Sequence, residues 1–363
     1  MTIKTTGQGT GATANVSENG KIHERLPDEV CKQLLRNMAR ARAMEERMIK
    51  MSKSGEGYFW IGGPGEEAFN VALGMQIKKG EGPDYDYLHL HYRNSGVVVG
   101  MGMELIDGIR QIAMTATDPH SRGRNFPGHF ARREWNVVPV SSVIEIQFTM
   151  AAGTAHVQKR HGGDGLTVVV GGDAGTAEGD FASCMIWSTR PGHELPVLMI
   201  VSNNGYGIST PYETVHAETN VIDRGKAFGI PGEVVDGNDP IASWHAIERA
   251  MKYCREERKP YMLEAMVSRL HGHSSSSGAI RIYDQPDCIE LFGKQLIEWD
   301  ILDQAGVDEV IQEAQKEAAD AADAVANEPR PKPEDIYLHT YQRSEVDAVY
   351  PEKYTGLPHE KSE

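Results

Sequence analysis

Apolar residues recur at three- and four-residue steps from Leu26 onward, at Val30, Leu34, Leu35, Met38, Ala41 and Met48, which predicts one long amphipathic helix. The stretch Gly-Glu-Glu-Ala-Phe-Asn-Val-Ala-Leu-Gly-Met at 65–75 predicts a second helix packed through small residues, and residues 104–114 predict a third. The middle of the chain changes period. Short aliphatic runs at 166–170, 197–201, 232–236 and 261–267 predict buried strands, with helices over 178–189 and 241–256. Strands that are apolar throughout, alternating with helices, predict an α/β fold with a parallel sheet flanked by helices on both faces. After Glu298 an Ala/Glu/Asp/Gln-rich composition predicts an exposed helix to about Asn327, broken by Glu-Pro-Arg-Pro-Lys-Pro-Glu-Asp. Gly, Thr, Asn and Ser without apolar period predict a flexible arm over 1–25, so that 26–330 forms one α/β domain and 331–363 an extended polar tail.

Charge narrows the partners. Lys and Arg number 37 against 52 Asp and Glu, a formal charge of −15, which argues against nucleic acid because phosphate neutralisation needs a basic face. A local basic pocket stays open, and the loop-like stretch 115–140 carries Arg122, Arg124, Arg132 and Arg133. Four widely spaced cysteines without a CxxC predict reduced, buried thiols. The longest apolar runs are too short to span a bilayer and no charged-then-apolar leader opens the chain, so a soluble cytoplasmic protein without a membrane partner is expected.

The run Val-Val-Val-Gly-Gly-Asp-Ala-Gly-Thr-Ala-Glu-Gly at 168–179 poses the chemical question. A strand ending in glycines before a helix has the form of a phosphate site, with free backbone N–H groups facing an anion. Asp173 sits at that mouth and would repel a phosphate. In a parallel β-α-β unit neighbouring strands end side by side, ~4.8 Å apart, and the next strand ends in Ser202-Asn203-Asn204-Gly205-Tyr206. Asp173 and Asn204 can therefore meet at one rim. A carboxylate, an amide oxygen and turn carbonyls suit Mg²⁺, which keeps phosphate oxygens in its shell. The cation turns the repulsion into a bridge.

The pattern Gly-Asp-x-Gly…Glu-Gly, followed about thirty residues later by Asn-Asn-Gly-Tyr, resembles the thiamin-diphosphate motif of 2-oxo-acid dehydrogenases. With Gly65-Glu66-Glu67-Ala68, Tyr92-Arg93, Ser141-Ser142 and Arg269-Leu270-His271-Gly272-His273-Ser274 in the same order, the chain from about Arg42 to Ser274 resembles the α subunit of their heterotetrameric decarboxylating component. The resemblance implies the diphosphate-binding half of a thiamin-diphosphate-binding fold. It implies that Asp173, Asn204 and the backbone carbonyl of Tyr206 hold Mg²⁺. Tyr92, Arg93 and backbone amides near Ala174 and Gly175 would bind the diphosphate, and Ser142 and Ile144 would meet the aminopyrimidine. His273 would be the catalytic residue where thiazolium and oxo acid meet. Phe59, Trp60 and Ile144 would form the substrate pocket. The implied reaction is oxidative decarboxylation with acyl transfer to a lipoyl group, and the implied partners are a β subunit in an α₂β₂ assembly, a lipoyl-bearing acyltransferase core and a small 2-oxo acid. Residues 123–130 and Ser141-Ser142 favour branched-chain substrates such as 3-methyl-2-oxobutanoate, with pyruvate or acetoin as alternatives. The chain departs from the pattern at Ala174, where a glycine is usual, and at Ser202, where branched-chain relatives often carry arginine. The segment Arg-Pro-Gly-His-Glu-Leu-Pro at 190–196 reads as a short surface insertion, and four serines at 274–277 follow His273.

Other readings stand beside these. Asp173 could cap a helix, His271 and His273 could form a metal pair or a turn, His89 and His91 alternate on a strand-like stretch where packing suffices, and the serine run reads as a flexible linker. A nicotinamide Rossmann enzyme is argued against by the lack of G-x-G-x-x-G after any strand, and a P-loop by Gly-Lys pairs at 20, 225 and 293 without a following hydroxyl. A non-catalytic scaffold retaining the fold is the alternative from another class, opposed by the joint presence of Asp173, Asn204, Tyr92, Arg93 and His273.

Overall fold

The computed structural model describes residues 24–337. The arm expected over 1–25 and the tail expected over 331–363 fall outside the described residues, apart from their inner ends, and within the latter Pro333–Tyr337 forms a 3₁₀ turn rather than an extended strand.

The amphipathic pattern after Leu26 becomes α1 (Asp28–Ser54), closed by Gly55 in the left-handed region with its N–H on Met51 O. There follow α2 (Glu67–Gln76), β1 (Tyr87–His89), α3 (Ser95–Gly100), α4 (Leu105–Ala113) and α5 (Ile146–Arg160). Then come β2 (Thr167–Gly172), α6 (Gly179–Ser188), β3 (Val197–Asn203), the two-residue strands β4 (Tyr206–Gly207) and β5 (Thr210–Pro211), and the single turn α7 (Asp223–Lys226). The chain continues through β6 (Gly232–Asp236), α8 (Pro240–Glu257), β7 (Tyr261–Met266), α9 (Cys288–Glu298) and α10 (Gln304–Val325). Asp239 caps α8 by accepting from the N–H groups of Ile241 and Ala242, with Pro240 in the first turn.

Five strands form one parallel sheet in the order β1-β2-β3-β7-β6. Successive side chains of a strand point to opposite faces, and the two hydrophobic clusters divide accordingly. Val168, Val170, Leu198, Ile200, Leu263 and Ala265 face the larger cluster with α1, α2, α4 and α8. Val169, Val197, Met199, Val201 and Met262 face the smaller one with α5 and α6. Every residue of β3 is buried. Each buried Val, Ile or Met contributes roughly 1.5–3 kcal/mol relative to exposure, so the central strands form a stiff frame whose carboxyl ends share one rim.

Helices α3, α5 and α9 have no counterpart in the sequence-based expectation. In α5 the core face carries polar Gln147 and Gln158, while Met150 and Val157 point outward. The usual apolar stripe is thereby blurred. Gln158 is buried because it is useful there: its amide donates to the carbonyls of Tyr85 and Leu166 and accepts from Thr167. The segment 190–196 does form a surface turn, with residues 191–193 exposed.

Candidate active site

The register pairs Gly172 of β2 with Ser202 of β3, so the two glycine-containing loops leave the sheet side by side. A cavity of about 450 Å³ opens there, at the carboxyl ends of the strands, the usual ligand position in open α/β sheets. Phe59, Tyr92, Arg93, Ser142, Ile144, Asp173, Ala174, Gly175, Asn204, Tyr206 and His273 all line it. Trp60 does not. It is fully buried, with its indole N–H donated to Glu45 at 2.7 Å, and so supports the wall from behind instead of facing the cavity as expected.

Asp173 is 1% exposed; its Oδ1 faces the N–H of Asn204 at 3.4 Å and its Oδ2 has no partner. Its side chain caps no helix, so the capping role is not what it does. Burial holds its pKa above the ordinary carboxylate value. The adjacent asparagines divide by strand parity. Asn203 turns into the sheet and donates to Glu264 at 2.7 Å, whereas Asn204 stays at the rim with its Oδ1 accepting from Tyr206 N–H. Among the described residues no three His, Cys, Asp or Glu side chains converge as a metal cluster. An orphaned buried carboxylate oxygen beside an amide oxygen nevertheless fits a hard divalent cation completed by backbone and phosphate oxygens. Beyond Asp173 a 3₁₀ turn, Ala174–Ala177, begins with N–H groups that lack intrahelical partners. The departure at Ala174 is accommodated by its neighbour: a side chain on Gly207 would meet the Ala174 methyl at 2.6 Å.

Arg93 is buried and forked. One terminal nitrogen donates to Gly62 O and the other lies 3.0 Å from His273 Nδ1. A guanidinium can only donate, so Nδ1 accepts and the His273 proton sits on Nε2. Burial, with Arg93 and Arg269 nearby, lowers the His273 pKa to about 4, which makes this a neutral imidazole at physiological pH. Its loop is tied down. Ser275 N–H donates to Trp60 O, Trp60 N–H to Ser275 Oγ, and Gly272 N–H to Ile280 O. Ser274 and Ser277 cap a 3₁₀ turn reciprocally. The serine run is therefore an ordered turn, not the flexible linker its composition suggested. His271 pairs through its backbone with Arg281 and packs edge-on against Trp60.

Among the lining residues outside the expected site, four bear on its chemistry. His91, assigned to packing, lies in the cavity wall with no partner on its buried Nδ1. Its position two residues beyond β1 carries no sequence signal of its own. Glu145 is 1% exposed and backs the glycine loop so closely that a side chain on Gly175 would overlap its carboxyl group. Burial, with Asp180, Glu178 and Asp173 around it, pushes its pKa up to about 8 despite a hydrogen bond from Gly172 N–H. Phe126 and His129 come from the loop between α4 and α5. In the sequence that loop stands out for its arginines and for the branched-chain resemblance of residues 123–130, and neither Arg122 nor Arg124 lines the cavity.

The profile of the dehydrogenase E1 component family matches residues 35–334. The 2-oxoisovalerate dehydrogenase subunit alpha of Bacillus subtilis (strain 168) is 33% identical over 250 residues, covering 69% of this chain and 74% of that protein. The mitochondrial 2-oxoisovalerate dehydrogenase subunit alpha 2 of Arabidopsis thaliana is 30% identical over 256 residues, 70% of this chain but only 52% of that protein. The mitochondrial human subunit alpha is 26% identical over 327 residues, 87% and 72% of the respective chains. A family profile spanning most of the domain, together with a relative one-third identical over two-thirds of the chain, places this chain in the dehydrogenase E1 component family, as an α subunit of a thiamin-diphosphate-dependent 2-oxo-acid dehydrogenase.

Proposed function

We propose that this chain works in the cytoplasm with a β subunit, in an α₂β₂ assembly, to decarboxylate branched-chain 2-oxo acids oxidatively and pass the acyl unit to the lipoyl group of an acyltransferase core. The observation that carries the cofactor part of this reading is the buried, unpartnered Oδ2 of Asp173 at a mouth of backbone N–H groups. Asp173, Asn204 and the Tyr206 carbonyl would hold Mg²⁺. Tyr92, Arg93 and the amides of Ala174 and Gly175 would hold the diphosphate, with Ser142 and Ile144 toward the aminopyrimidine. Thiamin diphosphate, when bound, supplies the electron sink that lets CO₂ leave. The chain supplies position and hydrogen bonds. Arg93 fixes the His273 tautomer, so this neutral imidazole donates a hydrogen bond from Nε2. Phe59, edge-on to Phe126 at 5.1 Å, and Ile144 give the wall an apolar character.

The names of the relatives, 2-oxoisovalerate dehydrogenases, support 3-methyl-2-oxobutanoate as the preferred substrate. An apolar pocket discriminates by only about 1–3 kcal/mol per methylene, so overlap with pyruvate is expected. The test is the assembled enzyme with Mg²⁺, thiamin diphosphate and an artificial electron acceptor. Branched oxo acids should give the highest kcat/KM; pyruvate or acetoin in that place would overturn the substrate while leaving the cofactor untouched. The purified chain without a β partner should be inactive, and robust decarboxylation by it alone would refute the assembly.

A further inference from the structure

Glu264 sits within β7, opposite Val201 of β3 and Val234 of β6, and is fully buried. A carboxyl group inside a sheet is costly unless both oxygens are paired, and here they are. Asn203 Nδ2 donates to Oε1 at 2.7 Å and Ile222 N–H to Oε2 at 3.1 Å. The donor directions are fixed. Gly205 N–H, which can only donate, lies 3.0 Å from Asn203 Oδ1, so that amide presents its NH₂ to Glu264. Ile222 N–H likewise only donates. Glu264 therefore serves as a double acceptor, and its two partners bracket one excursion of the chain. Asn203 ends β3, Ile222 immediately precedes α7, and the segment between them carries Asn204 and Tyr206. At the near end, Gly205 in the left-handed region turns the chain over the Asn203 amide. At the far end, Arg224 reaches back to the Thr176 carbonyl at 2.7 Å, and Thr176 Oγ1 donates to the Asp173 carbonyl at 2.6 Å. One carboxyl group thus ties down the Asn204–Tyr206 turn directly and, through Arg224, the turn of Asp173.

We propose that Glu264, which does not line the cavity, is a positioning residue that sets the spacing between the Asp173 and Asn204–Tyr206 turns, and with it the size of cation the rim accepts. This rests on the reading that Asp173, Asn204 and the Tyr206 carbonyl hold Mg²⁺. Asp173 and Asn204 each stand one residue beyond a strand end, so the sheet alone does not fix how far apart they lie. Mg²⁺ demands short bonds in near-ideal octahedral geometry, whereas Ca²⁺ tolerates longer and less regular ones. Loosening either turn should therefore penalise the smaller ion more.

The test measures, by calorimetry on the assembled enzyme, thiamin diphosphate affinity with Mg²⁺ and with Ca²⁺. Glu264→Gln keeps the side-chain shape but sets a donor against one of two donors, so one bond is lost. Mg²⁺-supported affinity should fall about tenfold or more, the scale of losing an outer-shell partner. Ca²⁺-supported affinity should fall by less than about threefold. Asn203→Ala cuts the link to Gly205 while leaving Glu264 on Ile222; it should show the same selectivity and decides the matter if Glu264→Gln does not assemble. Combining Glu264→Gln with Asn203→Asp reverses the donor of the shared bond and keeps every partner. That pair should return Mg²⁺-supported affinity to within about threefold of wild type, as coupled neighbours do. An equal loss with both cations, no loss at all, or a combined variant no better than Glu264→Gln would overturn the spacing role. A wild-type enzyme that binds thiamin diphosphate with neither cation would instead overturn the cofactor reading and this inference with it.

Discussion

Arg42, in the layer of helices, and Asp173, at the carboxyl edge of the sheet, are both shut away from water, but only Arg42 has its hydrogen-bonding groups answered. Arg42 donates to both oxygens of Glu67 and to Asp287, which also receives Arg281. Nearby, Arg40 makes a two-pronged pair with Glu317, and Arg110 binds Glu328. Around the cavity, Asp173 Oδ2, His91 Nδ1, Ser202 Oγ and Glu145 Oε1 are equally inaccessible and have no partner among the described residues. Folding satisfies nearly all buried polar groups; other exceptions, such as Arg47 Nε and Arg281 Nη1, are scattered, but these four line one cavity where a bound group can complete them together. The paired region stabilises the domain and connects α1, α2 and α9. The unpaired region stores a deficit that a cation and an anion can relieve.

The comparison predicts opposite responses to removing a charge. Arg42→Met should be the most damaging change, because it strands the Glu67 carboxylate and leaves Asp287 with Arg281 as its only cation; loss of one partner of a buried pair costs about 3–5 kcal/mol. Denaturant unfolding would read this directly, and a loss below ~1 kcal/mol would mean that the network is not what holds these helices. Asp173→Asn should do the reverse. Stability without ligand should stay level or rise, since an unpaired buried charge is gone, while Mg²⁺-dependent affinity for thiamin diphosphate should fall at least about 100-fold, the scale of losing an anionic ligand from a divalent site. Calorimetry on the assembled enzyme separates the two effects. If affinity survives, the orphaned oxygen has been misread.

His273→Ala should leave unfolding and cofactor affinity nearly unchanged and cut turnover by roughly 10²-fold, as loss of a positioned hydrogen-bond donor does. Steady-state assays with a lipoyl acceptor would show it; an enzyme retaining most of its kcat would reassign His273 to structure. The smallest effect concerns pH. Glu145 keeps its proton up to about pH 8 in the folded chain, against an ordinary value of 4.5. Between those values the folded state binds the extra proton, so this contribution is full below the lower one and is lost as pH rises through the upper. His273 and His271, both lowered to about 4 by burial, act at the other end. Their contribution is complete above the ordinary 6.5 and disappears as pH falls through about 4. Glu145→Gln should therefore gain stability relative to wild type as pH rises from about 6 to 9. Parallel unfolding curves across that range would show that Glu145 is not held protonated.

Much of the frame could be read from the amino acids, because it depends on interactions between near neighbours in sequence. The 3.6-residue period of α1, the aliphatic runs of β2, β3 and β7, and the Asp-Pro start of α8 each declare an element locally. So did the chemistry at Asp173: an acid where an anion is invited requires a cation, and the parallel sheet brings Asn204 to it. Elements whose residues serve distant partners were illegible. In α5 the buried glutamines answer carbonyls at Tyr85, Leu166 and Val170, so its hydrophobic period is lost. The serines at 274–277 look like linker until Trp60, more than two hundred residues earlier, supplies the backbone that orders them. Only the tertiary structure decided which way Trp60 faces, that His91, His129 and Glu145 belong to the cavity, and which nitrogen of His273 carries its proton. Those outcomes depend on which groups meet after the chain has closed on itself, and on how much water is left between them, and neither is a property of any local stretch of sequence.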